Sequence, residues 1–288
     1  MNIRDCLKKE KIICDGAFGT FYSMLDRETR IPENGNIEHP EIVKEIHRRY
    51  LEAGARLIRT NTFASNTQAL GISEKKLVDN IRAGYRNAKA AVEEYCQTHP
   101  ELEGRIFVAG DMGPMQGLES GEPEVEEEYR KICMTFLEEG AEILVFETFP
   151  GLYGIQNLIR EIKEKHDVFI IVQFCVNQFG YTNTGLSARR LLSQAEKMPE
   201  IDAVGFNCGV GPGHMYRILK TLQFPEDKYI TALPNASYPG NVQNRVQFQE
   251  NEEYFVEKMQ LISGLGINFL GGCCGTNPDY IRHMSEKL

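Results

Sequence analysis

Short apolar runs alternate along this chain with longer amphipathic stretches, and the alternation repeats eight times. The apolar runs are rich in β-branched residues, as buried strands are. They occupy residues 11–15, 56–60, 106–110, 143–147, 168–174, 203–207, 229–233 and 267–271. The stretches between them have helical spacing and occupy residues 40–53, 74–95, 124–139, 152–165, 188–197, 215–222, 252–263 and 278–287. This pattern predicts strand–helix units and a parallel sheet.

Eight such units in a chain of 288 residues favour a closed barrel over an open doubly wound sheet. Neither a Pro/Ser-rich linker nor a low-complexity segment interrupts the pattern. We therefore predict an α/β fold, a single (β/α)8 TIM barrel that forms one domain over residues 1–288. In such barrels the active site is built by the loops that follow the strands.

Charge and hydropathy then exclude several classes of partner. The chain has 32 basic and 41 acidic residues, a net charge of −9, and no basic stretch that would follow a nucleic-acid backbone. The longest apolar run, residues 168–176, is too short to span a bilayer, and the N-terminus lacks the apolar segment of a signal peptide. We expect a cytoplasmic protein that acts on small molecules, in which the eight cysteines are thiols rather than disulfides.

Polar and glycine-rich segments follow most of the predicted strands. Three of the cysteines lie in these segments, namely Cys208 after the sixth strand and Cys273 and Cys274 after the eighth. Adjacent residues of a strand point to opposite faces, so Cys273 and Cys274 can bind one ion only where the chain turns irregularly. The glycines on both sides permit such a turn, and Asn277 with Pro278 predicts that a helix begins just beyond it. Three thiolates with a fourth position open are typical of catalytic zinc.

The spacing alone leaves other interpretations open, because no CxxC pair is present. The vicinal Cys273 and Cys274 could instead form a reversible disulfide in a non-catalytic zinc or redox module. The remaining cysteines are expected to be packing residues: Cys6, Cys14, Cys96, Cys133 and Cys175. The glycine-rich residues 209–213 depart from the dinucleotide-binding pattern at position six and are interpreted as a turn. A phosphate-binding barrel is disfavoured because cysteines follow the eighth strand.

Five segments in order along the chain carry a resemblance to a known family. They are Asp15-Gly16-Ala17-Phe18-Gly19-Thr20, Thr60-Asn61-Thr62-Phe63, Glu147-Thr148-Phe149, Asn207-Cys208 and Gly271-Gly272-Cys273-Cys274-Gly275-Thr276. Together they resemble the homocysteine S-methyltransferase family over almost the whole chain. Residues 60–63 and 234–236 look most like the homocysteine-binding module of cobalamin-dependent methionine synthases. The resemblance implies an enzyme that methylates the zinc-bound thiolate of homocysteine to give methionine.

The resemblance also implies which residues form the site. Zinc is expected on Cys208, Cys273 and Cys274, which are also the catalytic residues. The residues expected to bind homocysteine are Asp15, Gly16, Phe18, Glu147 and Asn207. In this assignment backbone amides of the glycine-rich loop bind the substrate carboxylate, and carboxylate or carbonyl oxygens bind its ammonium group, with Glu147 complementing the positive charge.

The methyl donor is the least determined part of the function. We expect a methylcorrinoid, with methylcobalamin supplied by a separate corrinoid protein, because the Asp-x-His-x-x-Gly pattern that resembling corrinoid domains use to bind cobalt is absent from the sequence. S-methylmethionine, S-adenosylmethionine and betaine are alternative donors, and another thiol is an alternative acceptor. Residues 236–251 are polar and without clear periodicity, so they form either a lid over the substrate or a surface loop.

Overall fold

Eight parallel strands form one sheet in the computed structural model, which describes residues 2–26, 28–117, 122–242, 245–248 and 251–288. With the two strands of a separate hairpin counted in chain order, the strands are β1 Ile12–Ile13, β2 Leu57–Arg59, β3 Phe107–Met112, β4 Ile143–Phe149, β5 Phe169–Phe174, β6 Ala203–Asn207, β7 Tyr229–Leu233, β8 Pro239–Val242, β9 Arg245–Phe248 and β10 Phe269–Leu270. The order in the sheet is β1-β10-β7-β6-β5-β4-β3-β2. The predicted (β/α)8 barrel is confirmed.

Helices connect the strands on the outside of the barrel. In the described chain they are α1 Ile3–Leu7, α2 Phe18–Leu25, α3 Gly35–Glu38, α4 Pro40–Glu52, α5 Thr67–Leu70, α6 Glu74–Thr98, α7 Pro123–Glu138, α8 Gln156–Lys165, α9 Ala188–Glu196, α10 Pro212–Leu219, α11 Glu252–Ser263 and α12 Pro278–Ser285. All eight predicted helices are present within four residues of the expected bounds. Four short helices, α1, α2, α3 and α5, were too brief to show periodicity. No described helix combines the length and the apolar character needed to cross a membrane.

The barrel closes between its first two strands. Cys14 forms a parallel bridge with Leu57. The Arg56 amide donates to the Ile13 carbonyl at 2.7 Å, and the Asp15 amide donates to the Leu57 carbonyl at 3.0 Å. These bonds fix the end of β1 directly beside β2, which places the glycine-rich loop after β1 next to the residues that follow β2.

The interior of the barrel changes from apolar to charged along the strands. Alternate residues point inward, and near the amino ends of the strands these are apolar: Leu57, Phe107, Ala109, Ile143, Val145, Phe169 and Ile171. The same alternation continued towards the carboxyl ends reaches Arg59, Asp111 and Glu147, all buried. The charged layer of the barrel is therefore a continuation of the strands and not a product of the loops.

The segment predicted as either a lid or a surface loop contains an antiparallel hairpin. Strands β8 and β9 pair with Pro239 opposite Phe248 and Val242 opposite Arg245. Residues 243, 244, 249 and 250 of the predicted segment lie outside the described residues. The hairpin follows β7 at the carboxyl end of the barrel, and its role as a lid stays a prediction.

Candidate active site

A cavity of about 490 Å³ opens at the carboxyl end of the barrel. Most of the residues predicted to form the site line it: Asp15, Gly16, Phe18, Glu147, Cys208, Cys273 and Cys274. Asn207 does not line the cavity. It is fully buried and contacts two of these residues, Glu147 and Cys273. The volume is that of a small-molecule pocket.

The backbone turns sharply at each of the three cysteines. Cys208 follows β6 in the left-handed region at a φ of 53°, and Gly209 follows at 67°. A Cβ atom on Gly209 would lie 2.3 Å from the Val176 carbonyl oxygen, so only glycine fits there. In the other loop a Cβ on Gly272 would lie 2.3 Å from the Thr276 hydroxyl. These turns are the irregular geometry that adjacent cysteines need to face one point.

Thr276 and Asn277 hold the loop that carries Cys273 and Cys274. The Thr276 hydroxyl donates to the Cys273 carbonyl at 2.7 Å and accepts from the Ala17 amide at 3.1 Å. The Asn277 side chain accepts hydrogen bonds from the amides of Asp279 and Tyr280. Asn277 is therefore the predicted N-cap of α12, and the cysteine loop is fixed between this helix and the loop after β1.

The three sulfur atoms fit a zinc ion. The Sγ atoms of Cys208, Cys273 and Cys274 all lie within 4.8 Å of one another, and the Cys208 and Cys274 Sγ atoms are 3.8 Å apart. Zinc–sulfur bonds of about 2.3 Å in tetrahedral geometry place two sulfurs about 3.8 Å apart. Among the described residues, no other set of three or more possible ligands is clustered in this way.

A fourth thiol lies against this cluster. Cys175 follows β5, and its Sγ atom would lie 2.9 Å from a Cβ atom on Gly209, the residue after Cys208. The neighbouring thiols, Cys175 first, lower the pKa of Cys208 well below its ordinary value by hydrogen bonding to its thiolate. The sequence analysis assigned Cys175 to packing, and the structure places it beside the turn that carries a predicted metal ligand.

Arg59 joins Asp15 and Glu147, the two acidic residues that were predicted to bind homocysteine. Its Nε atom donates to Asp15 Oδ1 at 2.8 Å and its Nη1 atom donates to Glu147 Oε1 at 2.8 Å. Nη2 donates to the carbonyl oxygens of Gly16 and Gly272. Burial opposes the charged guanidinium, but the Asp15 and Glu147 carboxylates outweigh it and raise the pKa of Arg59 well above its ordinary value.

Asn207 orients Glu147 and links it to the sulfur cluster. Its Nδ2 atom donates to Glu147 Oε1 at 2.7 Å and to the Thr148 hydroxyl at 2.8 Å. The same nitrogen lies 3.7 Å from the Cys273 sulfur, which lies 3.7 Å from Glu147 Oε1. Thr148 is held at a φ of 68°, a strained value for a β-branched residue. The carboxylate and sulfur halves of the cavity are thus in direct contact.

The loop after β1 leads into α2 at the wall of the cavity. Ala17 is the N-cap of α2 and makes no side-chain capping bond. Amides in the first turn of a helix have no partner within the helix and favour negative charge. Gly16 and Phe18 both line the cavity, so this turn is suited to a carboxylate.

Sequence reasoning missed Arg59, Asp111 and the position of Cys175. A charged residue inside an otherwise apolar strand is a signal for a buried ion pair, and Arg59 is such a residue. Asp111 lies two positions beyond Ala109 and four beyond Phe107, so strand alternation alone would have placed it inward. No feature of the sequence marked Cys175, because its position beside the turn at Cys208 depends on two loops that are distant in the chain.

A family model and curated relatives identify what this chain is similar to. The model described as homocysteine S-methyltransferase matches residues 12–288. A methionine synthase from Mycobacterium leprae (strain TN) is 26% identical over all of this chain and 25% of the relative's length. A methionine synthase from Mycobacterium tuberculosis (strain ATCC 25618 / H37Rv) is 25% identical with the same coverage. The chain thus spans about a quarter of the length of these relatives.

Solved structures share the fold. The homocysteine methyltransferase MmuM from Escherichia coli superimposes with a TM-score of 0.83 in its oxidized form and 0.80 in its metallated form. Both are 21% identical to this chain, and each comparison covers 99% of both chains. At this identity the similarity supports the barrel architecture over its full length.

Proposed function

Because the chain belongs to the homocysteine S-methyltransferase family, we propose that it transfers a methyl group to the sulfur of homocysteine in a zinc-dependent reaction. The observation that carries the proposal is the contact between two groups of residues in one cavity. Three thiols are spaced for zinc, and the nearest of them touches a buried carboxylate that is suited to an amino acid.

Zinc held by Cys208, Cys273 and Cys274 would leave one position for the acceptor sulfur and lower its pKa, so that it reacts as a thiolate. The residues of the chain position the rest of the substrate. The first turn of α2 is suited to the carboxylate, and Glu147, which Arg59 also contacts, is suited to the ammonium group. Asn207 holds Glu147 in place, so the carboxylate is oriented before substrate binds.

The transfer is a displacement at the methyl carbon. The thiol proton leaves before the reaction, the sulfur–carbon bond forms with a sulfur lone pair, and the bond from methyl to the donor breaks with its electron pair remaining on the donor. Three cysteinates and the acceptor thiolate carry excess negative charge, and methylation of the acceptor sulfur relieves part of it. The product is the thioether methionine.

We further propose that the donor is a methylcorrinoid carried by another polypeptide or domain. A cavity of about 490 Å³ suits homocysteine. A corrinoid ring is much larger, so it would cover the mouth of the barrel rather than enter it. The β8–β9 hairpin lies in the loop after β7 at this mouth and is the candidate gate.

The test is a comparison of methyl donors with zinc-loaded protein and homocysteine. We expect methionine to form from methylcobalamin, slowly because docking contacts are missing, and only poorly from S-methylmethionine and betaine. The initial rate of methionine formation at matched donor concentrations is the measurement. A wide advantage for S-methylmethionine or betaine would refute the corrinoid proposal and leave zinc-dependent thiol methylation intact.

A further inference from the structure

Both carboxylate oxygens of Asp15 are already paired with Arg59. Oδ1 accepts from Arg59 Nε and Oδ2 accepts from the Arg59 backbone amide, both at 2.8 Å. The side chain is only 1% exposed. The guanidinium also donates to the nearby carbonyl oxygens of Gly16 and Gly272. An internal cation therefore occupies the place beside the Asp15 carboxylate that a substrate ammonium group would need.

Asp111 has the properties that Asp15 lacks. Its carboxyl group is buried and lines the cavity, and its Oδ1 atom has no hydrogen-bond partner. Its backbone is fixed, because the amide donates to the Thr60 hydroxyl and the carbonyl accepts from the Thr62 hydroxyl. A buried acceptor without a donor is unfavourable. This carboxylate in the wall of the cavity therefore favours a ligand that donates a hydrogen bond to it.

The charges around Asp111 favour a cationic ligand. Its carboxyl group and that of Glu147 line the same cavity, and Arg59 is the cation paired with Glu147. Three acidic side chains, Asp15, Asp111 and Glu147, therefore face one guanidinium in the described cavity wall. Burial first, and then the negative charge of Glu147, raise the pKa of Asp111 well above its ordinary value. A ligand ammonium group would offset this excess of negative charge and supply the missing donor.

We infer that Asp111, with the adjacent Glu147 carboxylate, binds the ammonium group of the acceptor and is a specificity-determining residue. The Arg59 guanidinium already lies beside Asp15. The ammonium group is therefore placed on the other side of the cavity, which β3 forms with Asp111. An ammonium group has three donors and can bridge two carboxylates. The inference rests on the proposed function, since it concerns the amino acid whose sulfur reaches the cysteines.

The test compares homocysteine with 4-mercaptobutyrate, which has the same thiol and carboxylate but no amino group. Titration calorimetry on zinc-loaded protein gives both dissociation constants, and the zinc–sulfur contribution cancels in their ratio. We expect wild type to favour homocysteine by about ten- to a hundredfold, the value of a charge-assisted hydrogen bond. Asp111→Asn keeps Glu147 and should lower this preference at least about fivefold, while binding of 4-mercaptobutyrate stays within about threefold of wild type.

Two further variants keep the test decisive. Asp111→Ser should lower the preference by a similar factor, and it leaves space rather than an amide if the asparagine variant does not fold. Asp202→Asn is the matched control, because Asp202 lies before β6 at the opposite end of the barrel. Its preference for homocysteine should equal that of wild type.

The contrary outcomes are distinct. A folded Asp111 variant that keeps the wild-type preference for homocysteine would overturn the inference. A wild type that binds the two thiols equally would overturn it too, because the amino group would then not be recognised. Binding of methionine and 4-(methylthio)butyrate provides a readout that does not depend on a zinc–thiolate bond, and the same preference is expected. If wild type binds neither thiol nor methionine, the proposed function itself fails and takes this inference with it.

Discussion

The two ends of the barrel each contain a network of arginine and aspartate, and the two differ in solvation. At the carboxyl end Arg59 is 7% exposed and bonds Asp15 and Glu147. At the amino end Arg4 is 30% exposed and bonds Asp202, which also accepts from Lys163. The first network is enclosed by protein and lines a cavity, whereas the second is reached by water and lies over the ring of Phe169.

The cysteines differ between the ends in the same way. Cys6 and Cys14 lie among apolar residues at the amino end of the interior, and burial raises the pKa of each. Cys208, Cys273 and Cys274 lie beside one another and beside a carboxylate. Surroundings and not residue type decide whether a cysteine in this barrel packs or is suited to metal.

The largest expected difference between the ends is in metal binding. Cys273→Ala should lower zinc from about one ion per chain to near zero and abolish methyl transfer, because a ligand is lost from a three-thiolate site. Metal analysis of the purified variant is the measurement. Cys6→Ala is the control, since Cys6 is buried at the amino end. Full zinc in the Cys273 variant, or loss of zinc from the Cys6 variant, would contradict the assignment.

Removal of the enclosed arginine should have the next largest effect. Arg59→Met leaves the carboxylates of Asp15 and Glu147 buried without their cation, and breaking a buried pair costs about 3–5 kcal/mol. Urea unfolding of the metal-free protein measures the free energy of unfolding. A loss below about 1 kcal/mol would mean that the carboxylates accept protons or water at little cost.

Glu147→Gln tests whether the same network binds substrate. We expect homocysteine affinity to fall about ten- to a hundredfold, because one charge-assisted hydrogen bond is lost, while zinc occupancy stays near one. Titration of the zinc-loaded variant with homocysteine is the measurement. Unchanged affinity would make Glu147 a purely structural partner of Arg59.

The smallest effect is expected at the exposed network. Arg4→Met should change the free energy of unfolding by about 0–1 kcal/mol, as for partly solvated ion pairs. It uses the same substitution and the same urea experiment as Arg59→Met. If the two variants were destabilised equally, the contrast in solvation between the ends of the barrel would have no energetic meaning.

The sequence by itself determined the barrel and the location of the three clustered thiols. Eight alternating units predict the fold because strands and helices differ in hydrophobic period. The carboxyl ends of parallel strands meet at one rim, so Cys208 and Cys273 could be placed together although 65 residues separate them in the chain. The N-cap at Asn277 followed from local chemistry alone.

Only the tertiary structure decided how charges are paired inside the rim. Arg59 belongs to β2, whereas its partners belong to the loop after β1 and to β4, and strand order does not fix which inward side chains meet. The position of Cys175 beside the turn at Cys208 and Gly209 likewise depends on how two loops turn. Local patterns specify which residues point inward, but the choice of partner depends on distances of a few ångströms between strands, which only the closed barrel sets.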